Sequence, residues 1–211
     1  MIDLSVYSMD GRQIDSLKVD EAVFGGRVRY PLLKQAIVMY HANKRVGTVG
    51  TKSRGMVAGS TRKLYAQKHT GNARAGTLRT GKRVGGGVMF AKMTRDFSKE
   101  MPKKQRRLAR DSAILAKLLT NNVVVVDGLG FESPRTKVFA GVLKNLKIER
   151  SCLVTVKDYD INFYKSVRNV PKVSVMPVAE LNAGDICKHQ KMLFTKEAFL
   201  SLLTRDGDGG N

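Results

Sequence analysis

A three-layer α/β domain, built on a mainly parallel sheet flanked by helices and interrupted by one long extended basic loop between two helices, is the architecture this sequence predicts. Three observations carry that expectation. From Asn122 onward short apolar runs alternate with segments of helical periodicity, which is the pattern of strand-helix units. Val123 to Val126 is a four-valine run of the kind a parallel sheet buries on both faces. Between Lys44 and Arg95 there is a Lys or Arg every few residues, ten glycines and no acidic residue, so that stretch cannot bury enough surface to offset its ordering entropy and is expected to need a partner to become ordered.

Taken in order, Ile2 to Tyr7 and Ile14 to Val19 alternate apolar and polar residues around Asp10-Gly11, a turn signal, and predict an N-terminal hairpin. Pro31 opens a helix ending near Asn43, with Leu33, Ile37 and Tyr40 on one face. Met101 to Asn121 predicts a second helix, with Pro102 in its first turn and Leu108, Leu115 and Leu119 on its apolar stripe. Lys103, Arg106, Arg110 and Lys117 project on the opposite side. Ser133-Pro134 supplies a cap and first residue for a helix burying Val138, Val142 and Leu146. Further on, Cys152 to Val156 reads as a strand, Ile161 to Val167 as a helix and Lys172 to Val178 as a strand. A helical turn over Leu181 to Lys188, a strand at Met192 to Phe194 and a helix capped by Thr195 complete the series. The expected organisation is one domain over 1-211: a body of 1-43 and 96-204, a loop of 44-95, and a disordered tail of 205-211.

Charge narrows the partner. The chain is formally +20, and the acid-free window from Ala22 to Arg95 holds sixteen Lys and Arg, leaving only +4 elsewhere. Clustered positive charge suits nucleic acid or an anionic membrane, because both release counterions on contact. No apolar run approaches the roughly 20 residues that span a bilayer, and the basic window lacks the large apolar residues of an interfacial helix. No membrane partner is expected. The start, MIDLSVYSMD, carries Asp3 and Asp10 where a presequence carries bases, so cytoplasmic residence is expected. Cys152 and Cys187 lack the spacing of a disulfide or zinc framework, and His189 near Cys187 has no second ligand pair, so neither metal nor other cofactor is expected.

Two glycine motifs suggest nucleotide-using chemistry. Gly76 to Arg83 reads GTLRTGKR, but Arg83 stands where a phosphate-binding loop needs the Ser or Thr hydroxyl that holds magnesium, and no strand leads into it. Gly128-Leu129-Gly130 follows a strand, yet Ser133 occupies the place of the third glycine of a dinucleotide fingerprint. His41, His69 and His189 show no nucleophile or base pattern and read as polar surface or RNA contacts. A non-enzymatic protein is the leading reading, with a nucleotide-binding enzyme and a free basic RNA chaperone as alternatives. Asp96 and Glu100 read as the return to the body, open to pairing with nearby bases.

Lys and Arg grip phosphates by charge-assisted hydrogen bonds, and glycine lets backbone approach closely. With only Tyr65 and Phe90 available for stacking in the window, folded RNA is a better fit than a single-strand platform. The candidate RNA contacts of the loop are Lys44, Arg45, Lys52, Arg54, Arg62, Lys63, Lys68, Arg74, Arg79, Lys82, Arg83, Lys92 and Arg95. Lys103, Arg106 and Arg110 join them from the second helix, where basic first turns oppose the helix dipole unless a phosphate lies nearby. Doubled back on itself, the loop could reach at most roughly 85 Å at about 3.3 Å per extended residue.

Lys52-Ser53-Arg54-Gly55, Gly59-Ser60, Arg62-Lys63, Gln67-Lys68, Thr70-Gly71, Ala73-Arg74, Gly76, Gly85-Gly86-Gly87, Phe90 and Arg95-Asp96 follow one another in a familiar order and spacing. In these residues, and in KKQRRLARDSAILAK from Lys103, the chain resembles the bacterial large-subunit ribosomal protein four family over nearly its whole length. The resemblance implies a structural protein of the cytoplasmic ribosome that binds large-subunit ribosomal RNA early in assembly, beside neighbouring large-subunit proteins. Its loop would help line the nascent-peptide exit tunnel. Carried over by position, Arg62, Lys63, Tyr65, Gln67 and Lys68 become tunnel-lining candidates, with Gln67 added to the RNA contacts. The chain departs from the family pattern at Leu64-Tyr65-Ala66, often Pro-Trp-Arg, at His69 and Asn72, and at Met56.

Overall fold

The structure, a computed structural model, describes residues 1-131 and 133-205. It contains six strands, β1 (Ile2–Tyr7), β2 (Gln13–Val19), β3 (Val123–Val126), β4 (Cys152–Val156), β5 (Val173–Pro177) and β6 (Lys191–Thr195). Six α-helices accompany them: α1 (Tyr30–Asn43), α2 (Lys103–Leu119), α3 (Thr136–Asn145), α4 (Ile161–Val167), α5 (Ala183–Lys188) and α6 (Lys196–Arg205). Contacts divide the chain into two compact units, one of residues 1–41 with 99 onward and one of Ala42–Ser98.

In the first unit the strand order is β2-β1-β3-β6-β4-β5. Only β1 and β2 are antiparallel; every other neighbouring pair is parallel. The N-terminal hairpin therefore extends the main sheet through Val6 opposite Val125. Strand β6 lies between β3 and β4, with Val125 opposite Phe194 and Val154 opposite Leu193. Strand order of this kind follows from helix packing on the two faces and has no local signal.

The two-residue period of a strand sorts side chains into two cores. Val123, Val125, Leu153, Met192 and Phe194 face one core, which takes Leu33 and Ala36 of α1, residues from Ala109 to Leu118 of α2, Ile186 of α5, and Ala198, Phe199 and Leu202 of α6. Val126, Cys152, Val154 and Leu193 face the other, against Phe139, Val142 and Leu143 of α3 and Phe163 and Val167 of α4. This is the expected three-layer arrangement. Phe163 packs edge-on to Phe139 at 5.9 Å and stacks on Phe131 at 5.6 Å between ring centres. Burial pushes the Cys152 thiol up to about 12, as befits a core cysteine.

Several expectations shift by a residue or a face. On α1, Leu33, Ala36 and Met39 are buried while Ile37 is exposed, because a three-residue step fits the narrow contact better than the four-residue step. On α2, Leu118 rather than Leu119 is buried. Lys117 turns inward, where its Nζ donates to the His189 and Gln190 carbonyls at 2.6 and 3.0 Å, so it leaves the basic face. Helix α3 starts at Thr136, not at Pro134: Arg135 occupies the N-cap position with no side-chain cap bond, and its amide donates to Ser166 Oγ at 3.0 Å. Phe139 and Leu143 take the core face there, and Val138 is exposed. Thr195 does cap α6, its Oγ1 accepting from the Ala198 amide at 3.3 Å. His189 is not surface polar: it is 4% exposed. Arg205 closes α6, and the remainder of the expected tail, 206-211, lies outside the described residues.

Candidate nucleic-acid interface

The second unit contains no helix or strand of its own. Its two arms are tied at intervals instead. Near the base, the Arg95 amide donates to the Gly47 carbonyl (3.3 Å), and Thr51 and Lys92 exchange two bonds through the Lys92 carbonyl and the Thr51 Oγ1 (2.9 and 2.8 Å). Midway, the Val88 amide donates to the Lys52 carbonyl at 2.9 Å. Towards the tip, the Leu64 amide donates to the Gly76 carbonyl at 3.1 Å, beside an isolated bridge of Lys63 with Thr77. His69 and Gly71 turn the chain with φ of 63° and 67°. Thus the insertion is a loosely laddered hairpin, although its composition alone suggests a chain with no structure of its own. Only Gly87 within it is buried. A Cβ there would stand 2.3 Å from the Arg54 amide nitrogen, so glycine is what lets the arms close.

Two groups of the candidate bases are gathered by this geometry. Arg54, Arg74, Lys82 and Arg83 line one cavity of about 830 Å³ together with Gly55, Gly76 and Gly81. Arg45, Lys92 and Arg95 line another of about 800 Å³ with Val46, Val49, Met93 and Phe97. Phe97 escaped the sequence reading because it falls just outside the acid-free window; the Arg45 and Arg95 guanidinium carbons lie 4.0 and 4.4 Å from its ring centre. Lys44, Lys52, Arg62 and Lys68 are exposed.

Other candidates are held by the insertion itself. Lys63 Nζ donates to Gln67 Oε1 (2.9 Å) and to the Ala75 carbonyl (2.8 Å), and the Tyr65 hydroxyl donates to the Ala73 carbonyl. Arg79 is half-buried and braces the arms through a 3.1 Å bond to the Val57 carbonyl. Asp96 turns onto Ser98, whose hydroxyl and amide hold its carboxyl below the usual range.

On α2, the first turns carry Lys103, Lys104, Arg106 and Arg107, all exposed, and the first buried residue is Ala109. Lys104 and Arg107 were missed because projection on a helix presumes that one side packs, and these turns pack on neither. Pro102 offers no side-chain cap and the first turn has no acid, so the free amides and the cations share one positive end. Arg110, further along, engages Asp111 at 2.8 Å.

The Gly76–Arg83 stretch forms turns with no helix following within the insertion, and Gly128 to Gly130 connects β3 to α3. No helix among the described residues is long and apolar enough to cross a membrane.

The family model described as Ribosomal protein L4/L1 family matches residues 17–205. The chain belongs to the ribosomal protein L4/L1 family. Among its relatives, a protein named large ribosomal subunit protein uL4 from Carboxydothermus hydrogenoformans is 41% identical over 202 residues, covering 96% of this chain and 98% of the relative. Proteins of the same name from Dehalococcoides mccartyi and Heliobacterium modesticaldum are 42% and 40% identical over 197 and 198 residues. They cover 93% and 94% of this chain and 94% and 96% of the relatives. Membership in the L4/L1 family settles the class: the protein is structural and not an enzyme.

Proposed function

We propose that this chain, a structural constituent of the large subunit of the cytoplasmic ribosome, binds large-subunit ribosomal RNA through the insertion at 44-95 and the first turns of α2. In this reading it supports early assembly beside neighbouring large-subunit proteins, and the tip around Arg62, Lys63, Tyr65, Gln67 and Lys68 helps line the nascent-peptide exit tunnel. The observation that carries it is the insertion's make-up: cations without a single acid between Lys44 and Arg95, on a hairpin that buries only Gly87. A hairpin so constituted offers phosphates charge and close backbone approach while contributing nothing to the core. The engaged Lys63 and Tyr65 give the tip a shape before any partner arrives.

Deletion of residues 56–88 tests the proposal. The deleted protein should keep its circular dichroism and thermal unfolding but fail to enter large subunits in cells. Normal incorporation, read by sedimentation after a moderate salt wash, would overturn the assembly role.

A further inference from the structure

We propose that the cleft at the base of the insertion receives one unpaired nucleotide, its base laid on an apolar floor and its phosphate held by the surrounding arginines. The inference rests on the RNA-binding reading above and names what one part of that interface selects. Val49 and Met93 are each 67% exposed in the cleft lined by Arg45, Lys92, Arg95 and Phe97. Cations alone would satisfy a regular duplex backbone, which rewards charge and gives apolar side chains nothing to cover them. An extruded nucleotide matches both chemistries at once: a flat, weakly hydrated face for Val49 and Met93, and an anion for the guanidiniums.

The arrangement is built before the ligand arrives. Phe97 gathers two like-charged groups that would otherwise repel, because its ring faces attract cations. Arg45 and Arg95 are thereby fixed with their flat guanidinium groups available for stacking and their N–H groups for phosphate. Gly47, at φ 73°, keeps the base of the cleft clear: a Cβ there would meet the Arg95 carbonyl oxygen at 2.2 Å and the Phe97 ring at 3.2 Å. A volume of about 800 Å³ leaves room for a whole nucleotide rather than a phosphate alone.

The test measures binding of the full chain to two RNA hairpins that differ only by a single-nucleotide bulge, across a salt series. Preference for the bulged hairpin of about tenfold is expected, in line with the worth of one stacked base. In Phe97→Leu and in the double variant Val49→Ser/Met93→Ser that preference should fall to about twofold or less, with duplex affinity and salt dependence retained. The double variant changes only exposed side chains, so it decides the matter if Phe97→Leu proves misfolded by circular dichroism. Salt-dependent but equal binding of the two hairpins by the unaltered protein overturns the cleft and leaves the RNA-binding reading standing. A preference that survives the double variant overturns the cleft as well. Absence of salt-dependent binding to either RNA overturns both.

Discussion

His189 shows how a single residue changes meaning once its surroundings are known. Burial pulls its imidazole below the ordinary value, and the charges of Lys188 and Lys117 add to the effect while Asp185 opposes it. The folded protein therefore takes up a proton at His189 only at a lower pH than the unfolded chain, whose imidazole protonates below about pH 6.5. Its contribution to stability is complete above that pH and is lost as the pH falls towards the lower folded value. The loss proceeds at up to about 1.4 kcal/mol per pH unit. Thermal unfolding followed from pH 7.5 to 5.5 should show a steeper decline for the unaltered protein than for His189→Asn. Parallel curves would refute this account. Nothing in the local sequence separates a buried histidine between Lys188 and Gln190 from an exposed one; the burial comes from α2, whose Lys117 reaches the same carbonyls.

At the level of elements, the two arms of the insertion depend on contacts with no room for side chains. Gly87→Val places atoms where the Arg54 backbone already lies, so the arms must part between Lys52 and Val88. Trypsin should then cut faster at Arg54, Arg79, Lys82 and Arg83, while the unfolding midpoint of the body moves by less than about 0.5 kcal/mol equivalent, because no residue of either core lies in the insertion. A large loss of global stability would contradict the division into two units. Legibility differed among elements for physical reasons. Strand β4 and helix α4 begin and end where sequence pattern places them, since Cys152 to Val156 is an unbroken apolar-rich run and Asp160 caps the helix by accepting from the Asn162 amide at 2.9 Å. Helix α3 slipped because Ser133-Pro134 is a valid start signal overridden by a tertiary bond from Arg135 to Ser166. The cations of the interface were legible as composition. Their grouping around two cavities, and the part of Phe97, were not, because neither follows from linear spacing.

For the molecule as a whole, most of the net charge lies in a stretch that gives the core only a few residues of α1 and the turn before it. The acid-free window holds sixteen of the basic residues and the balance of the sequence is only +4, so RNA binding should be overwhelmingly electrostatic. If about ten phosphates are contacted, log affinity should fall against log salt with a slope of several units, as read by filter binding from low to physiological salt. A flat response would rule the mechanism out. The position of β6 has a different consequence, in time rather than in energy. This strand is the last to be synthesised, yet it joins β3 to β4 in the middle of the sheet. A growing chain therefore exposes its whole basic hairpin well before the sheet that completes the body can zip shut. During translation the protein is thus a polycation before its central sheet is complete.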